Sequence, residues 1–291
     1  MITQDTRTFP AADDGDALGS AAAKFRELPA MPRTVTAVLE LLASPDWTIP
    51  AIEATIAGDP ALVARMISVS NSALYGASHE IRTLNQSLVR LGFRAIRSLV
   101  IVAGARALFP LDDDLVGRRG RELWRHSAAT GVAGRLIAEA VKQRDPDDAF
   151  AAGVLHDIGK VVILLNRPDD YERILERVLS GGCASSAAET AVVGVEHTHL
   201  AACLTSRWNL PAGIVGAIVG HHEPDQAGDH ARLARIVACA DDLAHLHDGR
   251  DPEVHLPRAH EALGRLGLAF GAAEDLVVRV RVQLADLGDL V

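Results

Sequence analysis

Short apolar segments with a helical repeat, separated by proline and glycine residues, run along the chain from Phe25 onward. No segment shows the sustained alternation of apolar and polar residues that is typical of a half-buried β-strand. Hydrophobic residues make up 48% of the 291 residues but aromatic residues only 4%, so the core must consist mainly of Ala, Leu, Val and Ile. Because Ala and Leu favour helix, the sequence predicts an all-α protein.

The clearest break in composition lies at residues 110–119, where acidic residues fall together with a proline and a glycine. We therefore predict two packed helical subdomains, at residues 19–112 and 113–291, after a flexible polar tail at residues 1–18. In the second subdomain, the apolar pattern predicts helices at about 119–141, 147–165, 169–180, 184–207, 211–220 and 229–247, with two more within 256–288.

Capping residues mark two helix starts in the first subdomain. Asp59 precedes a proline at the first helical position, and Thr83 opens a capping box in a helix that Gly92 ends. Arg90, Arg94 and Arg97 follow at helical spacing, with no evident role in folding. They form either a solvated basic face or a docking face for an acidic protein partner.

The formal net charge of −9 limits the partners that the chain can bind. A surface with this balance repels phosphate backbones, so no nucleic-acid partner is expected. The polar N-terminus lacks the apolar core of a signal peptide, and no stretch approaches the roughly 20 apolar residues of a membrane helix. We expect a cytoplasmic protein with no membrane partner.

Among the twelve histidines, one belongs to an unusual pair, His156-Asp157, at the end of an Ala- and Val-rich helix. Burying a carboxylate there is costly unless a cation compensates it, although a solvated turn capped by Gly159 would also account for the pair. Further candidate ligands lie on other predicted helices or at their ends: Glu122, His126, His197, His221, His222 and Asp241.

Imidazole and carboxylate groups are the ligands expected for Fe, Mn or Zn, and the three cysteines form no CxxC pair. A set of this size suits two metal ions bridged by Asp157. Taken singly, each histidine is better explained as a core or surface residue, so the prediction rests on the ordered set. His199 is expected to be exposed. The remaining histidines match no pattern and are interpreted as surface residues: His230, His245, His247, His255 and His260.

The order H…HD…H…HH…D, over residues 119–247, resembles the HD metal-dependent phosphohydrolase superfamily and especially its HD-GYP branch. The resemblance implies two catalytic residues: Asp157, which would bridge the metals, and Lys160, which would contact phosphate. It also implies that six further residues are metal ligands: His126, His156, His197, His221, His222 and Asp241. Glu122 matches an additional glutamate that some dinuclear members carry one turn before their first histidine.

A second resemblance covers about residues 24–290 and is to the HDOD domain, a bacterial signalling and regulatory module that often lacks demonstrated catalysis. It is carried by Leu28-Pro29-Ala30-Met31-Pro32, Asp59-Pro60-Ala61-Leu62, Asn71-Ser72, Leu91-Gly92, Trp208-Asn209-Leu210-Pro211 and Ala240-Asp241.

Two departures qualify these resemblances. After His222 the chain reads Glu223-Pro224-Asp225-Gln226, without the Gly-Tyr-Pro loop of the HD-GYP branch, which counts against cyclic di-GMP as a substrate. Conversely, the chain keeps more HD ligands than HDOD membership requires, which favours a real metal site.

We therefore expect a regulatory protein whose N-terminal, HDOD-specific bundle meets a protein partner, while an HD-like bundle holds one or two divalent ions, Fe or Mn. Whether it is an enzyme, and its oligomeric state, are left open by the sequence. One alternative is a phosphohydrolase or phosphodiesterase in which a metal-activated water attacks phosphorus and Lys160 stabilises the developing charge. Another is an HD-type di-iron oxygenase.

Overall fold

The computed structural model describes residue 25 and residues 28–76, 79–181, 183–269 and 271–287. These residues form α-helices and short 3-10 helices, and none of them lies in a strand, which confirms the all-α prediction. The predicted tail at residues 1–18 lies outside the described residues. The α-helices are α1 Arg33–Ala43, α2 Ile49–Ile56, α3 Pro60–Asn71, α4 Leu84–Arg106, α5 Leu115–Ala140, α6 Pro146–Leu155, α7 Ile158–Asn166, α8 Pro168–Leu179, α9 Ser185–Val193, α10 His197–Arg207, α11 Ala212–Gly220, α12 Ala231–His247, α13 Pro252–Arg265 and α14 Ala272–Leu287.

The helices α1, α2 and α3 pack against α4. The two predicted caps are present: Asp59 Oδ1 accepts a hydrogen bond from the Leu62 N–H at 3.0 Å, and Thr83 Oγ1 accepts one from the Gln86 N–H at 3.2 Å. Gly92 interrupts α4 with a φ of 70°, a conformation that favours glycine. The predicted helix end is therefore a kink, and a second helical segment continues from it.

The helix α5 is the centre of the remaining chain and contacts α6, α7, α12 and α14. All of its residues from His126 to Ala138 are buried. Small residues make this possible: a Cβ added at Gly131 would lie 2.5 Å from the Val154 side chain and 3.0 Å from the Phe150 carbonyl oxygen. The close packing of α6 on α5 therefore depends on glycine.

Two of the long predicted helices are each two helices in the structure. The segment 147–165 breaks between α6 and α7 at the His156-Asp157 pair, and the segment 184–207 breaks after α9, where Gly194 has a φ of 78°. A Cβ at Gly159 would lie 1.9 Å from the His197 carbonyl oxygen, so the first turn of α7 packs directly on the start of α10. The two breaks therefore lie side by side.

One continuous cluster of buried apolar side chains includes residues from both sides of the predicted boundary at residue 112, so the division into two subdomains stays a prediction. Polar contacts also join the two sides. Tyr75 donates a hydrogen bond from its hydroxyl to Asp147 Oδ1 at 2.9 Å, and Asp286 Oδ2 accepts one from the Ala73 N–H at 2.6 Å. None of the described helices is long and apolar enough to cross a membrane.

The arginine row does serve the fold, contrary to our reading of the sequence. Arg90 donates to the Tyr75 carbonyl oxygen at 2.9 Å. Arg94 pairs with Asp145 at 2.5 Å, and Arg97 pairs with Asp148 at 2.6 Å. Because both acids lie where α6 begins, the row attaches α4 to α6 and gives no separate evidence of a docking face.

Candidate metal centre

All of the predicted ligands except Glu122 meet in one cluster. His126 Nε2 lies 2.9 Å from Asp241 Oδ1, and His156 Nε2 lies 3.6 Å from the same oxygen. The Asp157 carboxylate lies between two imidazoles, with Oδ2 3.4 Å from His156 Nε2 and Oδ1 3.3 Å from His197 Nε2. The adjacent residues His221 and His222, just after α11, complete the cluster. Nε2 of His222 lies 3.1 Å from Nε2 of His197, and the ring centroids of His221 and His222 are 4.0 Å apart.

The candidate ligands come from five different helices or helix ends, so the cluster depends on how the helices pack. His126 lies on α5 and Asp241 on α12. The remaining ligands lie at helix ends: the His156-Asp157 pair between α6 and α7, His197 at the first residue of α10, and the doublet after the last residue of α11. Helix ends can turn a side chain inward without burying a whole polar helix face, which explains their use here.

Three ligand atoms are buried and have no hydrogen-bond partner among the described residues: His156 Nε2, Asp157 Oδ1 and His221 Nε2. Leaving such an atom unsatisfied costs about 1–3 kcal/mol. A shared cation would remove this cost for all three, because each atom faces the same cluster. The donor set therefore fits a divalent metal.

In two of the rings, His156 and His221, one nitrogen is hydrogen-bonded outside the cluster, so the other nitrogen is the one that can bind a metal. Nδ1 of His156 lies 2.7 Å from the Gly153 carbonyl oxygen, and Nδ1 of His221 lies 2.6 Å from that of Ile218. A carbonyl oxygen can only accept, so Nδ1 carries a proton in both rings, and Nε2 is the nitrogen that a metal would bind.

The ligand atoms fall into two groups that could each hold an ion. We call the first site A, formed by His126, His156 and Asp157, and the second site B, formed by His197, His221 and His222. The two oxygens of Asp157 face one site each, Oδ2 toward His156 and Oδ1 toward His197, and the bridging role stays a prediction.

The electrostatics of the cluster favour ionised acids and several neutral imidazoles. Burial works against ionisation of Asp157, but His156 and Lys160 hold its pKa well below the usual range. Partial burial lowers the pKa of His222, a residue that is exposed overall, to about 4, and His197 adds to this effect. Burial also lowers the pKa of His221 well below its usual value. By contrast, Asp157 and Asp241 overcome the burial of His156 and raise its pKa to about 10.

The two residues predicted to be catalytic lie together. Lys160 Nζ donates to Asp157 Oδ2 at 2.7 Å, and the lysine side chain is 19% exposed. Asp157 raises the pKa of Lys160 above its usual value against the opposing effect of burial, so the ammonium is charged.

Glu122 lies outside the cluster. It is exposed, and its Oε2 accepts a hydrogen bond from Arg119 at 2.8 Å. Arg119 also bonds Glu172, so the glutamate belongs to a surface ion-pair network beside α8. We therefore leave it out of the proposed ligand set below.

Two residues near the cluster were missed in the sequence. Glu189 is 1% exposed, and its Oε2 accepts hydrogen bonds from both Nδ1 and the backbone N–H of His197. His245 was interpreted as a surface residue, which is wrong: it is partly buried and its ring stacks on that of His126 with centroids 4.5 Å apart. His245 follows Asp241 by four residues, about one helical turn, and this spacing in the sequence indicates that the two side chains share a helix face. His199 is exposed, as expected.

Comparison with known proteins places the chain in a family. The HDOD domain matches residues 28–224. An uncharacterised protein of Treponema pallidum is 26% identical over 242 residues, which are 82% of this chain and 46% of that protein. Ribonuclease Y of Thermus thermophilus is 31% identical over 182 residues, which are 59% of this chain and 26% of that protein. The chain thus spans less than half the length of these curated relatives.

Two solved structures have the same fold. An HDOD domain protein of unknown function from Geobacter sulfurreducens superposes with a TM-score of 0.74 at 23% identity, over 94% of this chain and 97% of that one. A Shewanella amazonensis protein, named a candidate phosphohydrolase, gives a TM-score of 0.74 at 22% identity, over 94% and 98%. With its match to the family model over residues 28–224, the chain belongs to the HDOD domain family.

Proposed function

We propose that this chain is a regulatory HDOD protein whose His and Asp cluster binds two divalent metal ions, Fe or Mn. The observation that carries the proposal is the set of buried, unpaired ligand atoms on His156, Asp157 and His221. Site A would use His126, His156, Asp157 and Asp241, and site B would use His197, His221, His222 and Asp157. A bound metal would supply fixed positive charge and Lewis acidity at the centre of the helical core.

A regulatory role suits the origin of the ligands. They come from α5, α10, α12, the junction of α6 with α7 and the end of α11. Metal binding would therefore favour the arrangement in which these helices are packed together, and loss of metal would release that constraint. In this proposal the N-terminal helices α1–α4, which carry none of the candidate ligands, present the surface for a protein partner.

The metal proposal is tested by elemental analysis of freshly purified protein and by thermal unfolding with and without added Mn²⁺ or Fe²⁺. Two equivalents of metal, and a melting temperature that rises with metal concentration, are the expected results. Replacing His156 with Ala should lower the metal content, whereas the exposed neighbour in His199→Ala should not. Metal-free protein whose melting temperature ignores added metal would refute the proposal.

A second candidate function is hydrolysis of a phosphate ester, and the position of Lys160 favours it. A charged ammonium 2.7 Å from the bridging carboxylate could also hold a phosphoryl oxygen beside the metals. The name of the Shewanella relative points to the same chemistry.

The test is turnover of p-nitrophenyl phosphate by the Mn²⁺-loaded protein. Lys160→Gln should abolish turnover with the metal retained, and the exposed Lys142→Gln should leave it unchanged. If the Mn²⁺-loaded wild-type protein turns over neither this substrate nor bis(p-nitrophenyl) phosphate, hydrolysis is refuted and only the regulatory function remains.

A further inference from the structure

His245 lies on the Asp241 side of site A and takes part in none of the functions described so far. Its Nε2 is 3.4 Å from Asp241 Oδ1, the oxygen that His126 also approaches. One ligand atom from each of these three residues lies within 4.8 Å of the other two, which is the spread expected of ligands to one ion. The other ring nitrogen of His245, Nδ1, is buried without a hydrogen-bond partner among the described residues.

The group of His126, Asp241 and His245 shares His126 with site A. A ring nitrogen has one lone pair and binds one ion. The Nε2 of His126 faces Asp241 at 2.9 Å, whereas its Nδ1 faces away, 3.4 Å from Asp248 Oδ2. Since only Nε2 of His126 points into the cluster, the two groups describe a single metal position.

We propose that His245 is a metal ligand of site A, which then has five protein ligands: His126, His156, Asp157, Asp241 and His245. This inference rests on the proposed metal binding. It adds a residue that the H…HD…H…HH…D pattern does not contain.

The surroundings of His245 hold its ring in place for this role. The ring lies between two others, with centroid distances of 4.5 Å to His126 and 4.3 Å to His255. His255 is itself fixed, because its Nδ1 lies 2.8 Å from Asp242 Oδ1. Of its two ring nitrogens, Nε2 is the one that faces Asp241 and would bind the ion.

The extra ligand would make the two sites unequal. With five protein ligands, site A would have fewer coordination positions left for an exchangeable ligand than site B, which would have four. Site B contains His222, which is exposed and lines a cleft of about 200 Å³ together with Arg235, Arg258 and Arg265. Exchangeable ligands would therefore enter at site B.

The test compares His245→Phe with His199→Phe. Both variants put a phenyl ring in place of an imidazole, but only the first removes a proposed ligand, because His199 is exposed. Calorimetric titration of metal-free protein with Mn²⁺ should show two ions in the wild type. In His245→Phe the affinity for one ion should fall by at least about tenfold, the lower end of the effect of losing even an outer-shell partner. His199→Phe should bind both ions as the wild type does.

The outcomes separate this inference from the proposed function. If the wild type binds two ions and His245→Phe binds both with unchanged affinity, His245 is not a ligand but the metal centre stands. If the wild type binds none, both proposals fail. Should His245→Phe not fold, anomalous diffraction from wild-type crystals grown with Mn²⁺ decides the matter. An ion within bonding distance of His245 supports the inference, and a site A ion out of its reach overturns it.

Discussion

Glu189 holds His197 through a single oxygen. Its Oε2 accepts one hydrogen bond from Nδ1 at 2.7 Å and a second from the backbone N–H at 2.8 Å. The carboxylate thereby fixes both the ring and the first residue of α10, and it directs Nε2 of the histidine toward Asp157 at 3.3 Å. This is the arrangement of a carboxylate that orients a metal-binding histidine.

Glu189→Ala should weaken metal binding at site B by about 10–100-fold, because the orienting partner of His197 is lost. Glu189→Gln should recover part of the affinity, since one amide oxygen can still accept both hydrogen bonds but carries no negative charge. Competition titration with a chelator measures both variants. Equal affinity in Glu189→Ala and the wild type would show that His197 needs no such support.

Asp157→Ala should remove both metal ions and leave the helical content largely intact. The carboxylate faces both sites, so its loss affects each, whereas the apolar core is stabilised separately. Elemental analysis and far-UV circular dichroism check the two properties. Asp113→Ala, in an exposed loop, is the matched control and should keep both ions. Full occupancy in Asp157→Ala would contradict the bridging role.

Gly159→Ala and Gly213→Ala should change stability in opposite directions. A Cβ at Gly159 would clash with the His197 backbone at 1.9 Å, so that variant should lose about 1–3 kcal/mol of unfolding free energy and bind metal more weakly. Gly213 lies in α11 with no atom within 4 Å of an added Cβ, so Ala there should be neutral or stabilising by up to about 1 kcal/mol. Urea denaturation measures both. Two neutral variants would mean that the start of α7 can move away from α10.

Arg97→Gln should lower stability by about 1–2 kcal/mol without changing the metal content. The ion pair with Asp148 is partly buried, with side-chain exposures of 21% for Arg97 and 17% for Asp148. Its contribution to the free energy of unfolding should therefore lie between that of a surface ion pair and that of a buried charged hydrogen bond. A double-mutant cycle with Asp148→Asn isolates the pair. Strictly additive effects of the two substitutions would show that the pair does not join α4 to α6.

The residues of the cluster, though not the exclusion of Glu122, were predictable because their order in the sequence resembles that of a known family and can be recognised without knowledge of the packing. Glu189 was not, because the sequence predicts one helix over residues 184–207. In a continuous helix, residues eight apart are separated by about 12 Å along the axis and cannot touch. The break after α9 folds the chain back and brings Glu189 to His197. Gly194, with its left-handed φ of 78°, was the only local sign of that break.

The predictions for His245 and for the arginine row were wrong for a different reason. Each prediction used only the spacing of residues within one helix, whereas the side chains that these residues contact lie on other helices. Asp145 and Asp148 are each 51 positions from the arginine that they bind. The ring of His126, which covers His245, comes from α5. Helical periodicity assigns a side chain to a face of its own helix but does not say what covers that face.

The contact between His126 and Asp241 joins residues that are 115 positions apart in the sequence. Ribosomes add about 5–20 residues per second, so the first of these side chains waits about 6–23 s for the second to be synthesised. All the proposed ligands of site B are made before Asp241. A nascent chain could therefore complete site B while site A still lacks the Asp241 carboxylate, and binding of both proposed ions would then follow the synthesis of α12.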